Sequence, residues 1–447
     1  MKKQKIMRWF YPGIAIFIFS TYLIALLQDY IPNTVEVFLS TTMGMVSYSV
    51  MLTLVLIAIR PRQIEKHLEL KAMYEVHAWM AIALIVTLFI HVFIRWSGLE
   101  NIFTLEISDT SMLGYGGLIS LFLVMITGIF VLSDVIIQKS DKLMEWKENK
   151  WNRNVHLWIH RLAIVSILFI YFHIWNVTYL SGNILLHTLN TIYTVFVLGS
   201  YFYYKIRIWR LPRYEVIANE MPTPDVHALQ LKATKSDVMN YQPGQFGFFR
   251  FIDSDLPNEA HPFSFSSALD HESDIIEIMV KESGDWTSSL DIVKEGDQVT
   301  IEGPYGNFYP KEKENSDTPM ILLSGGIGFT PSLSVLRHEM ANNSDRRIAF
   351  LWGLHGEEDM IYTEELKRMA DENKNFTFHL IFSGEEIEGY PHGHVDDTFI
   401  REEGLEEFYK TASWHVCGPP PMLEASKSLL AEQKVSKDQQ YIEEFAF

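Results

Sequence analysis

The hydrophobic pattern divides the chain in two. Up to about residue 204, apolar residues come in long unbroken runs, near 11–28, 37–59, 73–95, 115–138, 157–180 and 184–204. Each run can cross a hydrocarbon layer of ~30 Å at ~1.5 Å rise per residue, so the pattern predicts six membrane-spanning helices. From Pro212 the period shortens. YEVIANE, HALQLKA, FGFFRF, DIIEIMV and QVTIEG are short strands parted by turn residues, as in a small antiparallel barrel. From Thr318 strands alternate with helices: PMILLSGG, PSLSVLRHEM, RIAFLWGL, TEELKRMADE, FTFHLIF and WHVCG, the pattern of an open α/β sheet. The expectation is a multidomain chain with an all-α six-helix transmembrane domain over 1–211. An antiparallel β-barrel follows over 212–316, then an α/β open-sheet domain over 317–447.

Charge sharpens this division. Residues 1–213 hold 19 Lys and Arg against 12 Asp and Glu, while residues 214–447 hold 18 against 43. The acidic half argues against nucleic-acid binding. The basic residues orient the spans. Lys2, Lys3, Lys5 and Arg8 precede the first span, Arg60, Arg62, Lys66 and Lys71 follow the second, and Lys139, Lys142, Lys147, Lys150 and Arg153 follow the fourth. Lys205, Arg207, Arg210 and Arg213 follow the sixth, and the alternate loops near 29–36, 96–114 and 181–183 hold neither Lys nor Arg. Both termini are therefore expected in the cytoplasm of a multi-pass cell-membrane protein, with Arg95 alone at the opposite face. The first span lacks a small-residue cleavage site and reads as retained. One cysteine excludes an intrachain disulfide and any cysteine-rich zinc or iron–sulfur site.

Four histidines break the apolar runs. HAWMAIALIVTLFIH carries His77 and His91, and HRLAIVSILFIYFH carries His160 and His173. Histidines are costly in a bilayer unless they have partners. Spans three and five run in the same direction, so His77 and His160 share an inner level and His91 and His173 an outer one, ~20 Å away. Two bis-histidine b-type haems stacked across the bilayer fit this pattern, since imidazole is a common axial ligand. Fourteen residues keep His77 and His91 on one helix face. Thirteen leave His160 and His173 roughly 140° apart, which calls for a distorted fifth span. His156 competes with His160 for the inner site on spacing alone.

The acidic half carries further motifs: His261-Pro262-Phe263-Ser264, Gly284-Asp285-Trp286-Thr287, GGIGFTP from Gly325 to Pro331, and Cys417-Gly418-Pro419-Pro420-Pro421-Met422. In GGIGFTP the glycines Gly325, Gly326 and Gly328 permit close approach of a pyrophosphate. Thr330 is placed to cap the next helix and Pro331 to open its first turn. These motifs, in this order, resemble the ferredoxin–NADP reductase superfamily. The whole chain resembles the NADPH oxidase and ferric reductase family in its compact prokaryotic form.

The resemblance implies that His77, His91, His160 and His173 ligate two haem b groups, and favours His160 over His156. It implies FAD binding by the HPFS and GDWT motifs, with Ser266 and Lys281 in the same cofactor-binding set. It implies a dinucleotide at GGIGFTP and at Cys417, Gly418 and Pro419, with Cys417 near the nicotinamide. An aromatic stacked on the flavin is implied at the C-terminus, Phe447, with Phe445 competing. Relatives specific for NADPH place an arginine after the second nucleotide-domain strand; here the stretch is Trp352-Gly353-Leu354-His355-Gly356-Glu357-Glu358, so NADPH and NADH both stay open. The implied activity is an NAD(P)H oxidase that reduces extracytoplasmic dioxygen to superoxide, with Arg95 beside the outer site as an attraction for the product. A ferric-chelate reductase, or an electron relay to a protein partner, shares the same path. No EF-hand loop, SH3-like ligand tail or regulatory insert is present, so no obligatory cytosolic activator is expected.

Overall fold

The computed structural model describes residues 7–29, 34–61, 64, 68, 70–97, 109–130, 153–235, 239–252, 254–268, 274–310, 317–342 and 345–444. The chain forms two compact units, with the boundary between Trp209 and Arg210.

The first unit is helical: α1 Phe10–Asp29, α2 Val35–Ala58, α3 Leu70–Ser97, α4 Asp109–Phe130, α5 Arg153–His160, α6 Ala163–Asn176 and α7 Ile184–Trp209. Among the described residues, five stretches are long and apolar enough to cross a membrane: Phe10–Gln28, Val35–Ala58, Leu70–Trp96, Val155–Asn176 and Ile184–Trp209. Met112–Gly128 is a shorter apolar helix. The fourth expected span, 115–138, is seen as helix to Phe130, and its remainder lies outside the described residues. Large apolar side chains face outward, among them Trp79, Phe89, Phe196 and Ile184. That is the inverse of a water-soluble bundle. The interior seams carry hydroxyls instead. Ser49 and Thr53 donate to carbonyls one turn back, and Tyr48 with Thr194, Thr41 with Tyr179 and Ser166 with Ser120 bond across helices.

The fifth span is broken at Arg161 and Leu162. Leu162 N donates to Ile159 O and Ile164 N to Arg161 O, three residues back rather than four. A distortion was expected here from the thirteen-residue histidine spacing. Its sense is a tightened turn, not a π-bulge. Each tightened residue advances ~120° instead of ~100°, which closes part of the angular offset between His160 and His173.

The second unit begins with six antiparallel strands: β1 Arg213–Thr223, β2 Val226–Ala233, β3 Phe246–Phe251, β4 Ala260–Ser264, β5 Ile275–Lys281 and β6 Gln298–Tyr305. Their order is β4-β3-β6-β1-β2-β5. A bridge from Phe265 to Ile278 joins the chain just past β4 to β5, so the two edges of the sheet meet. β4, the HPFS segment itself, is the strand that sequence periodicity did not announce. The inner face packs Phe249, Phe251, Phe265, Ile278 and Val299 into one core.

A parallel sheet follows, ordered β11-β10-β7-β8-β9, with β7 Met320–Gly325, β8 Ile348–Leu354, β9 Phe376–Phe382, β10 Ser413–Cys417 and β11 Gln440–Glu443. Helices α8 Phe329–Ala341, α9 Thr363–Glu372, α10 Asp397–Glu402, α11 Phe408–Thr411 and α12 Pro420–Glu432 connect the strands. Both faces of the sheet are apolar and covered, which is why β7 and β8 read as continuous hydrophobic runs.

Candidate functional site

In the helical unit, His77 on α3 and His160 on α5 face each other with ring centroids 6.3 Å apart and planes 44° from parallel. An imidazole nitrogen binds a first-row metal at about 2.0–2.1 Å, so two rings sharing one metal have centroids roughly 6.3 Å apart. The centroid spacing is that of two rings on opposite sides of one metal ion. His91 Nδ1 donates to Ser40 O at 2.7 Å, so Nε2 is the ring nitrogen that carries the lone pair.

Glycines line these histidines. A Cβ at Gly44 on α2 would lie 3.0 Å from Nδ1 and Cε1 of His91, and one at Gly114 on α4 would lie 3.2 Å from the same atoms of His173. At Gly128 the nearest atom would be His160 Cε1, at 3.7 Å. Gly114 and Gly128 are fourteen residues apart, the interval that separates His77 from His91. That repeat was the sequence signal for the glycine cradle, and histidine-centred reading passed over it. Arg95 lies four residues beyond His91, one turn further along α3. His156 is buried, but the paired ring of His77 is His160.

In the first sheet of the second unit, the two flavin-type motifs meet. His261 on β4 stacks on Trp286 at 4.1 Å, and Phe263 lies 6.0 Å from the same indole. Trp286 Nε1 donates to Pro257 O, which fixes the ring. Thr287 Oγ1 accepts from the Ser283 and Gly284 amides at 2.9 and 3.0 Å. A Cβ at Gly284 would touch nothing within 4 Å, so the turn has an open side suited to a cofactor phosphate. Ser264 is buried at the end of β4. Ser266 and Lys281 are engaged elsewhere. Ser266 Oγ donates to Glu277, and Lys281 Nζ pairs with Asp359 at 2.8 Å and Asp225 at 3.1 Å.

The parallel sheet brings the other two motifs together, because β7 and β10 are neighbours and end at the same edge. A Cβ at Gly325 would clash with Met422 and Pro419, and one at Gly328 would lie 2.6 Å from Cys417 O. The two loops interlock so closely that only glycine fits at either position. Gly326 takes a left-handed φ of +49°, and its carbonyl accepts from Trp352 Nε1 at 3.0 Å. Trp352, on β8 and stacked on Phe329, is thus an anchor for the glycine loop that motif reading missed. Thr330 is not the helix cap. Gly328 holds that position, and Thr330 lies inside the first turn, donating to Ile327 O at 2.7 Å. Pro331 is in the first turn as expected.

Cys417 is fully buried at the end of β10, beside Glu443 on β11. Burial pushes its thiol well above the usual range, and the Glu443 carboxylate acts in the same direction. The thiol is therefore a neutral packing group rather than a nucleophile. β11 ends at this same edge; Phe445 and Phe447 lie outside the described residues.

Arg337 on α8 ties the two sheets together. It donates to Glu277 on β5 at 2.6 Å, to Ser266 O at 3.1 Å and to Glu365 at 2.8 and 2.9 Å. Those carboxylates raise its affinity for the proton although burial opposes it, so it stays charged. Nothing in the sequence alone marks this arginine, because its three partners come from distant segments.

Comparison with known proteins divides the chain in the same way. Residues 216–309 match a family described as FAD-binding domain, and residues 322–428 one described as oxidoreductase NAD-binding domain. The chain is similar to the reductase component of propane 2-monooxygenase from Mycolicibacterium goodii, 32% identical over 244 residues, which are 52% of this chain and 67% of that one. It is also similar to the reductase component of the naphthalene 1,2-dioxygenase system of Pseudomonas putida, 26% identical over 240 residues, 53% of this chain and 69% of that one. The structure of the Amycolatopsis cytochrome P450 reductase GcoB covers 53% of this chain and 70% of its own at 23% identity and a TM-score of 0.46.

Proposed function

The chain belongs, through its C-terminal half, to the ferredoxin–NADP reductase superfamily of FAD- and NAD(P)H-dependent oxidoreductases, and from that premise we propose that it exports electrons across a membrane. The acceptor we favour is dioxygen, reduced to superoxide on the extracytoplasmic side. The observation that carries the reading is the 6.3 Å facing pair of His77 and His160, inside a helical unit fused to a reductase.

His77 with His160, and His91 with His173, would hold two b-type haems. A bound flavin supplies the exchange between hydride and single-electron chemistry, and bis-histidine haem carries one electron at a time. The protein's own part is placement. His261, Phe263 and Trp286 form an aromatic wall for the flavin, and the open side of the Gly284 turn leaves room for its phosphates. Gly325, Gly326, Gly328 and the Cys417-Gly418-Pro419 turn shape the NAD(P)H cradle at the sheet edge. Cys417, neutral and buried, keeps charge and water from the nicotinamide end, and Phe447 is the candidate flavin cover. Ser40 holds the His91 ring, and Arg95 adds positive charge beside it, where a superoxide anion would form. We read the meeting of the sheet edges at Phe265 and Ile278 as barrel closure. We also read Asp109–Phe130 as the fourth of six spans, with both termini cytoplasmic and no cytosolic activator required.

The test is the purified full-length chain, reduced with NAD(P)H without oxygen. A b-type spectrum of two haems per chain is expected, reoxidised when oxygen enters. Cytochrome c reduction suppressed by superoxide dismutase supports dioxygen as acceptor. Brisk ferric-chelate reduction without that signal would replace it with iron.

A further inference from the structure

Where α6 hands over to α7, a half-open cavity of about 320 Å³ sits in the surface of the helical unit. It is lined by Trp175, Ser181, Ile184, His187, Thr188 and Thr191. Its size is at the lower end of small-molecule sites, about 300–1,000 Å³. The cavity is at the His173 end of the fifth span. Trp175 is two residues beyond His173, a rise of ~3 Å on the same helix.

His187 is 4% exposed, and its ring stacks on Trp175 with centroids 4.2 Å apart. Nε2 lies 3.0 Å from Leu180 O. A carbonyl only accepts, so Nε2 carries the hydrogen and Nδ1 is left with a lone pair. Among the described residues Nδ1 has no hydrogen-bond partner. A buried acceptor without a partner destabilises the fold unless something donates to it. Neutral, Nδ1 accepts from a ligand hydroxyl. Protonated, it donates to a ligand carbonyl. Few molecules present a hydroxyl and a carbonyl at the same atom in turn. A quinone and its hydroquinone do.

The surroundings favour that class over the other acceptors. Ile184 at the rim is 79% exposed, on a helix apolar enough to sit in lipid, so entry is from the bilayer. A charged ferric chelate would not enter from there, and dioxygen needs no cavity of this size. We propose that this cavity binds the ring of a membrane quinone, a second acceptor for the exported electrons beside dioxygen, with His187 as its proton-exchanging contact. The inference rests on the electron path proposed above. The balance is NAD(P)H + H⁺ + quinone → NAD(P)⁺ + hydroquinone. The nicotinamide gives up a hydride, whose proton is released on the flavin side; its two electrons, with two protons taken up from the cavity side, one of them through His187 Nδ1, convert two C=O groups to C–OH.

The test uses the full-length holoprotein in phosphatidylcholine vesicles, with decyl-ubiquinone as the probe. Anaerobic NAD(P)H oxidation driven by decyl-ubiquinone is expected, and an azido-quinone should photolabel residues 175–192. His187→Leu should lower quinone reduction at least tenfold. Thr188→Trp fills the exposed rim without touching the core, and should lower both labelling and quinone reduction. Both variants should keep wild-type haem spectra and wild-type dioxygen or ferric-chelate reduction. The proposal is overturned if both variants reduce quinone at wild-type rates, if the label falls elsewhere, or if only phospholipid is recovered from the site. A wild type that reduces dioxygen or iron but not quinone also overturns it, and leaves the electron path standing. Absence of haem in the wild type removes the path itself, and the proposal with it.

Discussion

Three glycine-to-alanine changes separate a haem cradle from ordinary helix packing. Ordinary contact for a Cβ begins near 3.4 Å; at Gly44 it would meet the His91 ring at 3.0 Å, at Gly114 the His173 ring at 3.2 Å, and at Gly128 the His160 ring at 3.7 Å. Helix propensity works in favour of all three changes, because alanine is the better helix former by up to ~1 kcal/mol. Any loss therefore comes from the ring. Gly44→Ala must push His91 by a few tenths of an ångström against its 2.7 Å bond to Ser40 O. Disturbing a bond that orients a ligand costs typically about 10–100-fold in metal affinity. The assay is haem per chain by pyridine haemochrome, after gel filtration with excess apomyoglobin as competitor. Wild type and Gly128→Ala should keep two haems, Gly44→Ala should fall toward one, and Gly114→Ala should lie between. A Gly44→Ala protein with two haems held at wild-type affinity would refute the reasoning, as would a Gly128→Ala protein that loses as much.

Arg337→Met leaves Glu277 and Glu365, 11% and 18% exposed, without their shared cation. Removing one member of such a group costs about 3–5 kcal/mol, so the Tm of the reductase unit should fall by about 6–20 °C in differential scanning fluorimetry. Trp352→Phe removes the bond to Gly326 O and should raise the KM for NAD(P)H several-fold with little change in kcat; an unchanged KM would mean the glycine loop holds itself. The Cys417 thiol is raised by burial, so its stabilisation is complete below the ordinary thiol pKa of about 8.5 and is lost as pH rises through the folded value. The Tm difference between wild type and Cys417→Ala should therefore narrow between pH 8 and pH 11. Glu357 and Glu358 follow β8 with no arginine among them, so kcat/KM should not strongly favour NADPH over NADH.

Much of the architecture was legible because each layer has its own period: long apolar runs for α1–α7, alternation for β1–β3, continuous apolar runs for β7 and β8. The motifs were legible because close backbone approach admits only glycine, as at Gly325 and Gly328. Other features depend on neighbours that sequence order hides. Arg337 gains its role from β5 and α9, Trp352 from the loop after β7, and Ser40 from a ring fifty-one residues away. Thr330 illustrates the reverse error. A threonine before proline is a good cap by rule, yet the helix starts earlier, with Gly328 in the cap position. The fifth span was expected to be distorted from arithmetic alone, but only the three-residue bonds around Arg161 revealed the sense of the distortion.

The fourteen-residue interval of α3 also has an electrical meaning. His77 and His91 stand ~21 Å apart along a helix long and apolar enough to cross a hydrocarbon layer of ~30 Å, about 0.7 of its thickness. On the proposed path, an electron passing from one level to the other crosses about that share of the membrane voltage. A full charge is worth ~2.3 kcal/mol per 100 mV, so this hop carries roughly 1.6 kcal/mol at that voltage. An inside-negative potential favours the hop, and each turnover spends part of that potential. In sealed vesicles the reaction should slow as charge accumulates and recover when valinomycin and potassium supply a counter-current.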